Sequence, residues 1–499
     1  MTRLLGIDAG STVTKSVLFD LDGHEVASAS RRVRLNYPHP HHVERDQDEL
    51  WEAVAATVRD VLAASGTSGA DVAAVGVTSH GDGVYLVDEH GRPTRPGIMS
   101  LDTRAHEIVQ SWEASGVSDR ALDLTGQRPW PSAPAALLAW LSAHEPDTMS
   151  RTRWALPAKD MLRHRLTGVF STEPTEASLS FTNVRTQRYD SAVAHLYGLP
   201  GVLDLLAPVV PCTQVSGVVT PEAAAMTGLA PGTPVAASAH DVDCSAVGTG
   251  VISPGTASVV AGSFSINQVV STSPIVGGGW CARNFVSEGR WMNMSLSPTS
   301  AANMEWFTQQ LCADELARGA AAGDAFGFVD REVAAVAASP SDVVFLPFLY
   351  GSPLPVEASA TFIGLKGWHV RGHLLRAVME GIAHTHRHHV DLLAEAFPCH
   401  EIRLTGGASK SALWSQLFAD VLDRPVEVTT ANESGALGAA LLAGVAAGRY
   451  ASLDEGVAQT VHVARRYQPE PAGVARQQAA YATYQEVVAV LGQLWGGHS

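Results

Sequence analysis

The chain opens on a short apolar run, LLGIDAG, that ends in Asp-x-Gly, and a second run, KSVLFD, stops at the turn signal Leu21-Asp22-Gly23 before HEVASASRRVRL. Short apolar runs bounded by Gly and Asp predict three strands joined by tight turns, a β-meander. The period then changes. From Gln47 to Ala64 the residues Leu50, Trp51, Val54 and Val58 recur at helical spacing, which predicts an amphipathic helix. DVAAVGVTS reads as a buried strand, GVYLVD as another closed by the turn EHGRP, and helical patterns dominate from about Ala133 to Gly168.

The second half repeats the opening. TASVVAGSFSINQVV is again strand, glycine-containing turn, strand, roughly 250 residues after the first such hairpin. EIRLTGGAS then predicts a strand ending in Gly-Gly, followed by the amphipathic stretch SALWSQLFADVL, the strand PVEVTT, the small-residue helix ESGALGAALLAGVAAG and a last helix from about Gly473 to Trp495. A chain of 499 residues is too long for one core and splits naturally into two. Pro254-Gly255, after the helical pattern of DCSAVGTGVI, marks the boundary, so the expected domains are 1–250 and 251–499.

Composition narrows the classes. With 46% hydrophobic and 17% charged residues the chain reads as an ordinary globular protein. A formal net charge of −16 argues against a nucleic-acid partner, because phosphate backbones require clustered Lys and Arg. It does not argue against ATP, whose site is local and whose charge Mg2+ can offset. The five cysteines, Cys212, Cys244, Cys281, Cys312 and Cys399, show no CxxC spacing and are expected as free thiols in a reducing compartment. MTRLLGIDAG offers no signal peptide, and no run of about 18 apolar residues suits a membrane span. A cytoplasmic protein is expected.

The candidate chemistry sits at the turns. Asp8, Gly10, Ser11 and Thr12 place an acid and two hydroxyls where a strand turns, which suits Mg-bound water and phosphate oxygens; a hairpin whose Asp caps its own turn has the same pattern. Gly262, Ser263 and Ser265 form the matching turn in the second half. Two such turns can clamp a triphosphate through backbone N–H groups. Asp241, where the strand PVAASA meets a helix, can take a proton from an attacking hydroxyl, or can simply cap that helix, and Asp243 is its rival in both roles. His80, Gly81 and Asp82 lie between two strands, and Asp102 and Arg104 lie on a loop some twenty residues later. Carboxylates on short loops suit sugar hydroxyls, and a flat ring such as Trp130 suits a sugar's C–H face. Gly406 and Gly407 permit close backbone approach to adenine. No P-loop and no GxGxxG fingerprint is present, and PHPHH, Pro38 to His42, reads as a surface loop.

With those residues laid out, nearly the whole chain, from GIDAGST to ESGALGAAL, resembles the FGGY family of carbohydrate kinases, which belongs to the actin, hexokinase and heat-shock ATPase superfamily. The most specific part is Ala360 to Glu380, which fits the family's second signature in spacing and residue type. PAKDMLRHRLTG, with Lys159 and Gly168, resembles part of the first, and GGASKSALWSQLFADVL resembles the adenine-binding region. The resemblance implies an α/β fold of two actin-like, ribonuclease H-like lobes with a nucleotide and sugar cleft between them. By position it implies Asp241 as general base, Asp8 acting with Mg2+, and Gly10, Ser11, Thr12, Gly262 and Ser263 at the phosphates. Gly406, Gly407 and Ser411 would flank adenosine, and His80, Gly81, Asp82, Asp102 and Trp130 would face the sugar.

The chain also departs from the family. Many members have Gly-Gln-Met-His-Gly where this one has Thr78-Ser79-His80-Gly81-Asp82, and Trp-Asn-Asp where it has Ser100-Leu101-Asp102. These changes point away from D-xylulose or glycerol. GDGVYLVD, AGSFSIN and SPTSAANMEWF are most similar to the branch of L-xylulose and related ketose kinases, and some erythritol kinases share parts of the pattern. The expected activity is ATP-dependent phosphorylation of a terminal hydroxyl of a small ketose. A polyol kinase of erythritol or glycerol type and a catalytically idle sugar sensor on the same lobes are the alternatives. A chaperone-like or filament-forming ATPase lacks a spare segment of chain to supply its module. A homodimer fits the family, although no surface in the sequence announces one.

Overall fold

In the computed structural model, residues 2–321, 323–339, 341–353 and 358–496 are described. The predicted meander is there: β1 (Arg3–Ala9), β2 (Val13–Phe19) and β3 (Glu25–Arg32) pair antiparallel in sequence order. The predicted helix follows as α1 (Gln47–Ser65), which begins where Asp46 accepts hydrogen bonds from the Asp48 and Glu49 amides and ends at Gly66 in a left-handed conformation. That is a side-chain N-cap and a glycine stop, the two devices that satisfy a helix's orphan groups. Its buried face, Leu50, Trp51, Val54, Val58 and Val61, packs on the sheet.

The chain then returns as β4 (Val72–Ser79), parallel to β1, and later adds β5 (Val215–Val218) and β6 (Pro234–Ala236), giving the sheet order β5-β6-β4-β1-β2-β3. Helix α2 (Asp241–Gly248) leads out of this lobe. The second sheet uses β7 (Gly255–Ala261), β8 (Ser265–Ser271), β9 (Cys281–Asn284), β10 (Trp291–Ser297), β11 (Cys399–Gly406), β12 (Val426–Thr429) and β13 (Val463–Tyr467), in the order β9-β10-β8-β7-β11-β12-β13. Both sheets share one plan. A meander starts from the lobe's first strand, a parallel strand lies on that strand's other side, and a further parallel strand and an antiparallel edge complete the sheet. This is the two-lobed α/β architecture expected from the sequence.

Three helices of the second lobe matter here: α3 (Arg371–Ala394), α4 (Ala412–Leu422) and α5 (Ser434–Ala446). The small residues of α5 let it lie directly on backbone. A Cβ at Gly6 of β1 would come 2.0 Å from the Ala436 carbonyl oxygen, and one at Gly76 of β4 would come 1.9 Å from that of Ala439. The last helix, α6 (Pro471–Gly496), packs Tyr481 and Tyr484 against Leu346 and Phe348 of the second lobe. Elsewhere the sequence pattern was coarser than the structure. The stretch from Ala133 to Gly168 contains helices Pro134–His144, Pro146–Arg151 and Ala158–Thr167, with the short strand Trp154–Leu156 between the last two. Among the described residues no helix is long and apolar enough to cross a membrane, and all five cysteines are free.

Candidate active site

Where α2 and α5 cross between the lobes, a cavity of about 510 Å³ opens, lined by Asp8, Lys15, Asp241, Gly406, Gly407 and Glu433 among others. Its position follows from the duplicated plan. β1 ends at Ala9 with Asp8 facing the cavity, β11 ends at Gly406, and Asp241 is the first residue of α2. The middle of α2 meets the N-terminus of α5 through Ser245 and Ser434, whose hydroxyls lie 3.0 Å apart, and the first residues of both helices line the cavity. Two helix N-termini converging on one cavity favour an anionic ligand there.

The two hairpin turns are held differently. The first is braced by Arg45, from the short strand Glu44–Arg45, which donates to the carbonyls of Gly10 (3.3 Å) and Ser11. Ser11 is half-buried and Thr12 exposed. The second turn abuts the glycine pair: a Cβ at Gly406 would come 2.9 Å from the Gly262 amide nitrogen and 2.4 Å from the Ala261 carbonyl oxygen. Gly406, at φ +84°, thus occupies a conformation and a gap that only glycine fills. Ser263 is exposed beside it, and beneath it Ser265 lies 3.1 Å from His386 Nδ1. Ser411 does not line the cavity. It caps α4 by accepting from the Trp414 amide at 3.0 Å and donates to Asp330 at 2.8 Å, while Ser409 and Lys410 face the space instead.

The acids carry unusual electrostatics. Burial, reinforced by the nearby Asp241 and Glu433 and opposed by Lys15, pushes the Asp8 carboxyl up to about 7. Lys15 is itself paired with Glu433 at 2.8 Å. A carboxylate raised first by burial and then by its neighbours' negative charge is one that a cation would relieve. Among the described residues no three His, Cys, Asp or Glu side chains gather as a metal cage. Mg2+ is commonly held by one or two carboxylates plus substrate phosphates, so Asp8 suits an ion that arrives with a nucleotide. Of the two rival acids, Asp241 lines the cavity with its side chain 36% exposed, whereas Asp243 is buried behind it at 2%.

The residues expected to face a sugar are divided. Asp82, at φ +57°, is half-buried, with one carboxylate oxygen, Oδ1, buried and unpartnered. Burial raises its pKa, opposed by Arg283, by His240 and by a hydrogen bond from Trp130. Arg283, from β9 of the other lobe, lies 5.1 Å over the Trp130 ring and donates to Gln127 at 2.9 Å. Asp82, Trp130, Arg283 and His240 therefore form one polar and aromatic wall beside Asp241. Gly81 belongs to the same wall, because a Cβ there would strike the His240 ring. His80 turns inward: its Nδ1 lies 3.2 Å from the Gly81 carbonyl and its Nε2 3.1 Å from the Tyr85 hydroxyl, and burial drives its pKa down to about 3. Asp102 stands apart. It is fully buried, accepts from the Val43 amide at 2.6 Å and the Arg104 amide at 3.0 Å, and pairs with the Arg104 guanidinium at 2.8 Å. That carboxylate anchors its own loop and has no acceptor free for a ligand.

Four contributors escaped the sequence reading: Arg45, Lys15 with Glu433, Arg283, and the His240 ring. Arg45 and Arg283 had no local signal. His240 directly precedes the candidate base and was legible as a neighbour, although not as a partner.

Comparison with known proteins gives the family of the chain. Residues 3–248 match the family model described as the N-terminal domain of the FGGY family of carbohydrate kinases, and residues 251–447 match that of its C-terminal domain. The chain is 34% identical to a probable L-xylulose kinase of Pasteurella multocida, covering 98% of this chain and 99% of that protein. It is 33% identical to the L-xylulose/3-keto-L-gulonate kinase of Escherichia coli, covering 98% and 97%. Its structure resembles that of a xylulose kinase from Rhodospirillum rubrum with a TM-score of 0.88 at 28% identity, covering 99% of this chain and 100% of the other.

Proposed function

Because the chain belongs to the FGGY family of carbohydrate kinases, we propose that it transfers the γ-phosphoryl group of ATP to a terminal hydroxyl of a small ketose, of the L-xylulose or 3-keto-L-gulonate kind. The observation that carries this reading is the meeting of Asp8, Asp241 and the Gly406-Gly407 pair in one cavity between two lobes. We assign the base and sugar recognition to residues 1–250, joined by Arg283 from the other lobe, and adenosine to 251–499.

Sugar kinases of this family use ATP, generally with Mg2+. Asp8 is the residue that would hold the ion, which when bound supplies neutralising charge at the phosphate oxygens. Gly10, Ser11 and Thr12 from one lobe, and Gly262 and Ser263 from the other, offer amides and hydroxyls to the phosphates. The bare backbone of Gly406 and Gly407 admits the adenosine. Asp82, Trp130 and Gly81, with Arg283, bind and orient the sugar. As the acceptor oxygen bonds to the γ-phosphorus and the bond to the ADP oxygen breaks, Asp241 takes the hydroxyl proton. Closure of the lobes excludes water, the competing acceptor.

ADP release across four- to six-carbon ketoses, polyols and sugar acids tests the reading. The expected result is ketose-dependent ADP with a phosphorylated sugar as co-product. Preference for erythritol or glycerol would replace the ketose reading with the polyol one, and sugar-independent ADP release would overturn both. Asp241→Asn is expected to remove most turnover, on the order of 100-fold or more, while nucleotide affinity by calorimetry stays near that of the parent.

A further inference from the structure

Two groups hold one oxygen of Asp241. The Val242 amide donates to Oδ1 at 2.7 Å, and His240 Nε2 lies 3.2 Å from the same atom. The opposite ring nitrogen, Nδ1, lies 3.5 Å from Asp243 Oδ2. The ring thus spans two carboxylates, one lining the cavity and one buried behind it. His240 is only 4% exposed, and its backbone is fixed as well: its amide donates to Thr175 Oγ1 at 2.9 Å, and that hydroxyl donates to Glu173 at 2.7 Å. Nδ1 makes no hydrogen bond, so the contacts act as ion pairs, and carboxylates beside both nitrogens favour the imidazolium form. Burial opposes that charge, but Asp241, Asp243 and Glu176 prevail and lift the histidine to about 10. Gly81 leaves the room the ring needs. A Cβ there would come 1.6 Å from Nε2, the nitrogen that faces the base.

We propose that His240 is a positioning residue for the catalytic base. It fixes Oδ1 of Asp241 and leaves Oδ2 as the oxygen that meets the acceptor hydroxyl, while Asp243 fixes the ring from behind. The proposal rests on Asp241 being the base. It makes Asp243–His240–Asp241 one unit, with Gly81 as the vacancy that accommodates it. Groups that hold and orient a reacting side chain act on the chemical step rather than on substrate affinity.

The test is steady-state kinetics of His240→Gln, Asp243→Asn and Gly81→Ala on the full chain, with the accepted sugar and MgATP both varied. The expected result for His240→Gln is a fall in kcat of roughly 10- to 100-fold, with both KM values within about two-fold. Asp243→Asn keeps size and a hydrogen-bonding oxygen, and is expected to shift kcat in the same direction by less. It reads the unit even should His240→Gln fold poorly by thermal melting. Gly81→Ala is expected to reproduce the kcat loss by displacing the ring. In an Asp241→Asn background, His240→Gln is expected to add nothing, because the group it positions is gone. Unchanged kcat in the single variants would overturn the proposal. So would an equal loss in the Asp241→Asn background, and so would a rise in sugar KM at constant kcat, which would make His240 a direct sugar contact. Near-normal turnover by Asp241→Asn alone would instead overturn the reading of the base, so the two failures are separable.

Discussion

Asp8 shows how a residue lining the cavity can oppose the stability of the fold that carries it. Its carboxyl titrates near 7 in the folded chain against 3.8 for an unperturbed Asp. A folded pKa above the unfolded one contributes stability that is complete at low pH, below the unfolded value, and is lost as pH rises through the folded one. Above pH 7 the protein free of ligand therefore holds an unfavourable charge, worth at most about 4 kcal/mol and less because the side chain is half-open to the cavity. Asp8→Asn is expected to raise stability by about 1–2 kcal/mol at pH 8 and progressively less toward pH 4, read by urea unfolding across that range. The same variant is expected to lose Mg2+-dependent turnover. Residue type and position drew attention to Asp8, Asp241, Gly262 and Gly406, and the family resemblance gave them their expected roles. It misdirected at Asp102. There the family-like spacing was present, but Arg104 two residues on and the Val43 amide, distant in sequence, take up the carboxylate.

At the scale of elements, the least tolerant surface is the face of α5 against β1, β4 and α2. Gly438 of α5 lies so near α2 that a Cβ would come 1.8 Å from the Cys244 carbonyl oxygen, and Gly248 of α2 meets the Ser434 carbonyl oxygen at 2.0 Å in the same way. Backbone cannot yield as a flexible side chain does, so overpacking here separates whole elements. Gly76→Ala is expected to destabilise by about 3 kcal/mol or more, seen as a lowered denaturation midpoint or loss of folded protein. Gly116→Ala, at a left-handed glycine with open space around its Cβ, is expected to cost only about 1 kcal/mol. The string ESGALGAALLAG announced a small-residue helix; that its smallness serves contact with three other elements is a property of their arrangement.

Across the whole molecule, the cavity lies between lobes that already touch at its edges. Lys15 of β2 reaches Glu433, and the Ala282 amide of β9 donates to the Gly126 carbonyl at 2.8 Å. The proposed clamp of two hairpin turns on separate lobes grips a triphosphate fully only when the lobes approach each other. A non-hydrolysable ATP analogue together with the accepted ketose is therefore expected to reduce the radius of gyration in small-angle scattering more than either alone. ATP hydrolysis without sugar is expected to stay slow. An equal compaction by nucleotide alone would place closure before sugar binding and remove the proposed barrier against water.

What the sequence determined by itself was everything encoded in short-range pattern. Strand and helix periods, the repeated hairpins and the glycines at strand ends were legible because each is a local preference of a few residues, and the family likeness fixed their order along the chain. What only the tertiary structure decided was who faces whom. Arg45 bracing the first turn, Arg283 crossing from the other lobe to Trp130, and the His240 ring held between Asp241 and Asp243 all depend on where folding brings side chains together. Charge and hydrogen bonding act over a few ångströms in space, whatever the distance along the chain, so no local pattern carries them.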